Sequence, residues 1–412
     1  LGWLLASAFG AVPYMLAGTF TSYLDAYFET MSGFTTTGSS VLADIEAQPH
    51  GILFWRDLTQ WLGGMGIIAL FVALVPLTRI GAAGASALIE DEAPAPQVDR
   101  VTPRIRDTAK ALWVIYVAMT ALLIVLLIAV GMPWFEAFTH SFGTMATGGF
   151  SPKNASIAYY QSASVDWIIT IFMCLAGVNF GLFYLMWRRK IGQALMDTEF
   201  KVYFGILAGV SLLIAVDLMV NMGYTSFLEA IRFSSFEVVA QQTTTGFASA
   251  DYDTWPWFSK TLILLVMFIG ASSGSTGGAL KVVRLVVVAK FANRQLFNTF
   301  SPRVVVPMKL NGRVMSDTLV RECVGFFIVY QSIFLVSTLA VIALGLDFIT
   351  AVSGVAATLG NVGPGFNLLG PTRNFSGMPD LVKAIFTFDM YVGRLELWTV
   401  LILLRPSFWR EA

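Results

Sequence analysis

The sequence predicts an all-α polytopic membrane protein built from four repeats in a pseudo-four-fold arrangement around a central pore. Three observations predict it. Of the 412 residues, 56% are hydrophobic and 13% charged, against about 25% charged in a soluble globular chain, and the mean hydropathy is +0.71. Long apolar stretches alternate with short, partly apolar ones, and the short ones fall below the roughly 20 residues a spanning helix needs. Four of the short stretches each run into a glycine-containing loop: Thr35-Thr36-Thr37-Gly38, Ala146-Thr147-Gly148, Thr243-Thr244-Thr245-Gly246 and Asn361-Val362-Gly363. Four diverged copies of one unit in a single chain point to a ring around an axis.

The glycines Gly38, Gly148, Gly246 and Gly363 lie 110, 98 and 117 residues apart. The first repeat is assigned to residues 1–78. It holds an apolar stretch at 1–20, a short helix at 23–33 and an outgoing span at 52–77, where Gly63, Gly64 and Gly66 permit close helix approach. The chain begins inside an apolar span, without methionine or a basic leader, so further helices are expected upstream. Residues 79–110 carry Glu90-Asp91-Glu92, Pro94 and Pro96 and read as a cytoplasmic connector. The second repeat, 111–190, has spans at 111–132 and 165–187 around a short helix at 134–144. The third, 191–299, has an incoming span at 200–222, a short helix at 227–242 and an outgoing span, 257–289, interrupted at 271–281. A second connector, 300–321, leads to the fourth repeat, 322–412, with spans at 323–346 and 381–404 around a short helix at 349–359. Without gaps, residues 28–38, 138–148, 236–246 and 353–363 align, and all four end on glycine.

Charge gives the orientation. Of 26 Lys and Arg, 19 fall in the connectors and tail that follow the outgoing spans, which places those segments in the cytoplasm and the glycine loops toward the outside. A net charge of zero gives no footprint for nucleic acid. Cys174 and Cys323 both sit in apolar runs and read as buried thiols. His50 and His140 are far apart, so no metal cluster and no membrane-embedded enzyme is expected.

The loops suit ion conduction. A cation entering a narrow pore must exchange its water for a ring of oxygens, and backbone carbonyls supply these without a trapping charge. Aiming successive carbonyls at one axis needs dihedrals that glycine adopts at little steric cost. Irregular backbone at membrane depth is tolerated where it lines water or is buried in protein. The C-terminal ends of the short helices present partial negative charge to a cation.

Two further features lie at membrane depth. Residues 271–281, with Ser272, Ser273, Gly274, Ser275, Thr276, Gly277, Gly278 and Lys281, interrupt a span. Three glycines, each costing about 1 kcal/mol relative to alanine in a helix, and competing serines disfavour helix there. A flexible polar segment would serve as a movable barrier; a kink or a small-residue packing face are the alternatives. Arg394 lies well inside the last span, at a cost of about 2.5–3.5 kcal/mol on insertion scales. Glu396, two residues on, is off its face, so Arg394 needs another acceptor, in the filter helices or the 271–281 loop.

Taken together, Ser32-Gly33-Phe34-Thr35-Thr36-Thr37-Gly38, Trp55-Arg56 with Gln60-Trp61-Leu62-Gly63-Gly64-Met65-Gly66, Ala146-Thr147-Gly148-Gly149-Phe150, Gln242-Thr243-Thr244-Thr245-Gly246-Phe247, Ser275-Thr276-Gly277-Gly278, Asn361-Val362-Gly363-Pro364-Gly365 and Gly393-Arg394-Leu395-Glu396 resemble the Trk/Ktr/HKT potassium-transporter superfamily, most closely its bacterial TrkH type. The resemblance implies four M1–pore helix–M2 repeats and potassium uptake across the bacterial cytoplasmic (inner) membrane. It implies a filter lined by Thr36, Thr37, Gly38, Ala146, Thr147, Gly148, Thr244, Thr245, Gly246, Asn361, Val362 and Gly363, which would bind the transported K+; no other cofactor is implied. Glycine at the first filter position, here Gly38, goes with potassium in this family, and serine with sodium permeation. Ala146 and the fourth loop depart from the Thr-Gly pattern. The 271–281 stretch corresponds to an intramembrane gate and Arg394 to an arginine below the filter. The resemblance further implies a homodimer with cytoplasmic nucleotide-binding (RCK/KTN) regulatory subunits, for which Lys290, Arg294, Arg303, Lys309 and Arg313 offer a basic docking surface. A sodium-permeable, or sodium- or proton-coupled, transporter of the same fold is the alternative.

Overall fold

The computed structural model of the protein describes residues 2–74, 101–187, 189, 191–301, 307–395 and 397–403. Each repeat runs as an incoming helix, a short pore helix, a loop and an outgoing helix. In the first, α1 (Gly2–Gly10) and α2 (Val12–Leu16) enter, α3 (Tyr23–Phe34) is the pore helix and α4 (His50–Leu74) leaves. In the second, α5 (Val101–Ala129) enters, α6 (Trp134–Ala146) is the pore helix, and α7 (Ala163–Ala176) and α8 (Phe180–Trp187) leave. The short α9 (Ile191–Met196) leads into the third repeat, of α10 (Thr198–Asn221), pore helix α11 (Phe227–Gln242), α12 (Trp257–Phe268) and α13 (Val282–Phe300). A hairpin, β1 (Lys309–Leu310) antiparallel to β2 (Arg313–Val314), precedes the fourth. That repeat has α14 (Asp317–Ala343), pore helix α15 (Phe348–Leu359), α16 (Asp380–Arg394) and α17 (Leu397–Leu403).

Side-chain oxygens help start several of these helices. Asp197 accepts the Phe200 N–H, Ser316 that of Leu319 and Asp347 that of Thr350, each satisfying a donor the first turn leaves open.

Burial is inverted relative to a water-soluble domain. The spans 109–129, 198–221 and 317–343 are long and apolar enough to cross a bilayer, and they expose Leu122, Val125, Leu212, Val216, Val220, Ile328, Leu335 and Val336. The centre is polar: Glu29, Thr30, Ser32, Asp57, Gln60, His140, Glu237, Gln241 and Gln242 are all fully buried. Lipid solvates the outer apolar surface, and polar groups must find partners or water inside.

The packing closes a circle. The outgoing α4 packs on the second pore helix α6, α7 on α11, α12 on α15, and α16 on the first pore helix α3. Each outgoing helix thus buttresses the next repeat's pore helix, and the fourth returns to the first. This is the pseudo-four-fold arrangement that the repeats predict.

Three expectations need correction. The incoming helix of the second repeat starts at Val101, inside the expected 79–110 connector. The outgoing stretch of that repeat is not one straight span: α7 and α8 meet at a bend of 94°. The last stretch, 381–404, also breaks, after Arg394. Broken backbone at this depth needs partners. At the first break the Gly177 carbonyl accepts the Ser272 N–H (3.0 Å) and the Phe180 N–H donates to the Gly274 carbonyl (3.0 Å), so the 271–281 loop fills the gap. The connector residues 79–100, Arg303, Glu396, Arg405 and Arg410 lie outside the described residues.

Candidate ion pore

Every pore helix ends in the same turn. Thr36 (φ 51°), Thr147 (φ 53°), Thr244 (φ 60°) and Asn361 (φ 54°) are left-handed. The next N–H reaches back into the helix: Thr37 to the Ser32 carbonyl (2.8 Å), Gly148 to Gly143 (2.8 Å), Thr245 to Ala240 (2.8 Å) and Val362 to Ala357 (2.7 Å). A left-handed residue followed by this bond is a Schellman cap. Asparagine tolerates the left-handed region, whereas a β-branched residue there is a real outlier. The three strained threonines are held by their surroundings, as strain at functional sites usually is. Asn361, which departed from the threonine pattern, occupies the same position at lower strain.

The second residue after each left-handed one is a glycine of positive φ: Gly38 (86°), Gly149 (76°), Gly246 (73°) and Gly363 (111°). The gapless alignment is therefore one residue out in the second repeat. The counterpart of Gly38 is Gly149, not Gly148, and the matching triplet is Thr147-Gly148-Gly149. Ala146 is the last residue of its helix. The cause is local: α6 runs one residue further beyond Phe138 than α3 does beyond Phe28 before its left-handed turn.

These glycines interlock. A β-carbon on Gly38 would fall onto the Gly148 carbonyl oxygen, on Gly149 onto that of Thr245, on Gly246 onto that of Val362, and on Gly363 to within 2.8 Å of that of Thr37. The order first, second, third, fourth, first is that of the helix packing, so four loops meet edge to edge around one axis. Only a residue without a side chain allows that approach. The hydroxyls alternate: Thr35 bonds Thr37 (2.8 Å) and Thr243 bonds Thr245 (2.7 Å), while the second and fourth loops carry Gly148 and Val362 at the equivalent place.

Behind the ring, each pore helix uses one polar side chain to hold the strand leaving its loop. Glu29 accepts from Ser40 Oγ (2.9 Å) and the Val41 N–H (2.8 Å). His140 Nε2 bonds Ser151 Oγ (3.0 Å). Glu237 accepts the N–H groups of Ser249 (2.8 Å) and Ala250 (3.1 Å), and Ser353 Oγ accepts that of Phe366 (2.9 Å). Glu29 is also paired with Arg56 (2.6 Å), which donates to the Ser151 carbonyl (3.0 Å) and stacks 3.6 Å from the Phe150 ring centroid. Gln60 clamps the second loop, donating to the Gly148 carbonyl (2.5 Å) and accepting from the Phe150 N–H (3.0 Å). Asn361 Nδ2 joins the fourth loop to the first at Thr37 Oγ1 (2.9 Å) and to α16 at the Met390 carbonyl (2.9 Å). Sequence reasoning missed these supports. The available signal was Glu29, His140 and Glu237, each seven residues before its left-handed threonine.

The 271–281 segment lies against the ring. Its base is pinched shut, with the Gly270 N–H on the Leu280 carbonyl (2.9 Å). The Gly278 N–H donates to Thr244 Oγ1 (2.7 Å), and Thr276 Oγ1 to the Met145 carbonyl (3.1 Å). Gly278 also backs onto Gly360 and Asn361, and Gly277 onto the Thr243 carbonyl. Ser272, Ser275 and Thr276 are buried. Lys281 Nζ donates to the Gly277 carbonyl. Arg394, at the C-terminal end of α16, donates from Nη1 to the Thr276 carbonyl (2.7 Å). The acceptor that Arg394 needs is thus in the loop itself. Its Nε and Nη2 are buried without a partner among the described residues.

The TrkH family, described as a cation transport protein, matches residues 2–410. The chain belongs to this family. It is 40% identical over 414 residues to the Trk system potassium uptake protein TrkH of Escherichia coli K12, covering 100% of this chain and 85% of that protein. The TrkH protein of Salmonella typhimurium is 39% identical at the same coverage. The crystal structure of the potassium transporter TrkH from Vibrio parahaemolyticus superposes with a TM-score of 0.88 at 36% identity, over 99% of this chain and 84% of that one. Membership makes this a helical membrane protein of a cation-transport family.

Proposed function

We propose that this protein takes up potassium across the bacterial cytoplasmic membrane as the ion-conducting subunit of a Trk-type system. The observation that carries the reading is the closed ring of four left-handed turns whose glycines abut neighbouring carbonyls. The filter is then Thr36-Thr37-Gly38, Thr147-Gly148-Gly149, Thr244-Thr245-Gly246 and Asn361-Val362-Gly363, with backbone carbonyls replacing the water of a K+ ion. The segment 271–281 is the gate, and Arg394 is a cation fixed to it. The relatives' printed names, potassium uptake proteins of a Trk system, support both the ion and the presence of further subunits.

As further subunits we propose a second copy of the chain and cytoplasmic nucleotide-binding proteins. Part of the basic docking surface is engaged within the chain: Lys290 donates to the Lys309 carbonyl (2.6 Å) and Arg294 pairs with Asp317 (3.0 Å). Those two therefore shape the surface more than they offer charge.

The test is a reversal-potential measurement on the reconstituted protein in opposed potassium and sodium gradients, repeated with residues 272–278 deleted. A reversal near the potassium equilibrium value, with larger current but the same reversal after the deletion, is expected. A reversal that follows sodium would replace potassium by the sodium-permeable alternative, and unchanged current after the deletion would remove the gate assignment.

A further inference from the structure

Glu199 is a buried carboxylate at the first turn of α10, away from the ring. Its Oε1 accepts the Ser273 N–H (2.7 Å) and the Val283 N–H (3.0 Å). Ser273 lies within the 271–281 loop and Val283 in the first turn of α13, so one oxygen ties the loop to the helix that follows it. Among the described residues no side chain of α13 caps that helix start. Glu199 therefore fills the capping role from another element, and a carboxylate there is favoured by the helix dipole.

The start of α10 is itself held from the cytoplasmic hairpin. The Thr198 N–H donates to Asn311 Oδ1 (2.8 Å), and Asn311 Nδ2 donates to Asp197 (2.6 Å). Asn311 is the left-handed residue of the β1–β2 turn (φ 49°). Lys290 of α13 also bonds β1, at the Lys309 carbonyl (2.6 Å). A continuous set of hydrogen bonds thus runs from an exposed cytoplasmic turn, through Asp197-Thr198-Glu199, to the loop under the filter.

We propose that Glu199 is a positioning residue that latches the loop closed, and that the 309–314 hairpin sets the latch through Asn311. This rests on the reading of 271–281 as the gate. A partner pulling on the hairpin would shift the start of α10 and with it the carboxylate, withdrawing the acceptor from both N–H groups together. The loop and the start of α13 would then each be left with one unmet donor, and the loop would leave its closed position.

The test compares rubidium uptake by the intact protein in proteoliposomes for Glu199→Ala, Glu199→Gln, Asn311→Gly and the 272–278 deletion. Glu199→Gln keeps an amide oxygen in the accepting place, and Asn311→Gly keeps the left-handed turn while removing the side chain. Loss of two hydrogen bonds to a charged group is expected to raise Glu199→Ala uptake on the order of tenfold, toward that of the deletion, with potassium-over-sodium preference unchanged. Glu199→Gln is expected to stay near wild type and Asn311→Gly to rise less than Glu199→Ala. Combining Asn311→Gly with Glu199→Ala should add nothing to Glu199→Ala, because both act on one latch. If the deletion raises uptake but Glu199→Ala and Asn311→Gly do not, the latch is wrong and the gate stands. If the deletion leaves uptake unchanged, the gate reading fails first. Should Glu199→Ala not assemble, Asn311→Gly decides alone: its substitution lies on the exposed turn, and wild-type uptake in it would overturn the coupling.

Discussion

The ring of four loops and the single loop beneath it are both buried, yet they are built by opposite means. Each ring loop is shaped by its own helix: a left-handed residue, a bond back to the last turn, then a glycine at positive φ. Four copies of that local device, placed side by side, make the ring. The 271–281 loop is not built on a helix end: of its own it has a small turn, with the Ser275 N–H on the Ser272 carbonyl (3.2 Å), and a closed base. Its position is held by groups from elsewhere: the Gly177 carbonyl, Thr244, Met145, Arg394 and Glu199. A part that repeats can be fixed, because each copy carries its own geometry. A part whose holders are distant can be released by moving any one of them, which is what the proposed gating role requires.

The largest way to break this contrast is to attack the ring's backing. Arg56→Ala leaves Glu29 fully buried without its ion-pair partner, and removal of one partner of a buried pair costs about 3–5 kcal/mol. A lower thermal midpoint in detergent is expected, with poorer potassium preference in what remains folded. The equivalent support in the third repeat, Glu237, makes no salt bridge among the described residues and is held by the Ser249 and Ala250 N–H groups, so the third loop should be indifferent to loss of an arginine. If Arg56→Ala instead raises flux with selectivity intact, the pair belongs to the gate and the contrast collapses.

The second test concerns register. Gly149→Ala places a side chain at φ 76° and onto the Thr245 carbonyl, adding about 1–3 kcal/mol of backbone strain before any clash. At Gly148 the added carbon meets the Gln60 side chain, whose displacement would cost its two bonds to the second loop but leave the backbone unstrained. Gly149→Ala should therefore damage selectivity more than Gly148→Ala, as measured by the shift in reversal potential between potassium and sodium. The opposite order would restore the gapless alignment.

That register shows where sequence reading ends. The four repeats, their order and the three glycines Gly38, Gly246 and Gly363 were legible because apolar length and loop composition are local properties. The second loop was misaligned because Gly148 and Gly149 are adjacent and only backbone dihedrals tell them apart. The segment 271–281 was visible as an interruption, since its glycines and serines disfavour helix. Its holders were not: Glu199 and Gly177 are far from it in sequence, and nothing in their neighbourhoods marks them. The break at Gly177 read as helix for the same reason, because the groups that satisfy the opened backbone come from another repeat. Arg394 stood out by its charge at depth, and the demand that charge makes for an acceptor is general physics, but the identity of Thr276 as that acceptor is a matter of the folded chain alone.

The smallest effect should come from the far end of a pore helix. Asp347 caps α15, accepting the Thr350 N–H (3.0 Å) and a bond from Asn367 (3.2 Å). Burial alone would raise its carboxyl, but the hydrogen bonds from Thr350 and Asn367 bring it below the ordinary 3.8. Asp347→Ala is expected to cost about 1 kcal/mol of stability at neutral pH. The native value lies below the unfolded one, so the carboxylate's contribution is present in full above that unfolded value and is lost as pH falls through the native one. The gap in thermal midpoint between Asp347→Ala and the parent should therefore hold from neutral pH downward and close only in strong acid. Ion preference should not move, because the turn that shapes the fourth loop is made at the opposite end of the helix. A change in reversal potential from this substitution would mean that the fourth loop takes its geometry from the whole helix and not from its own cap.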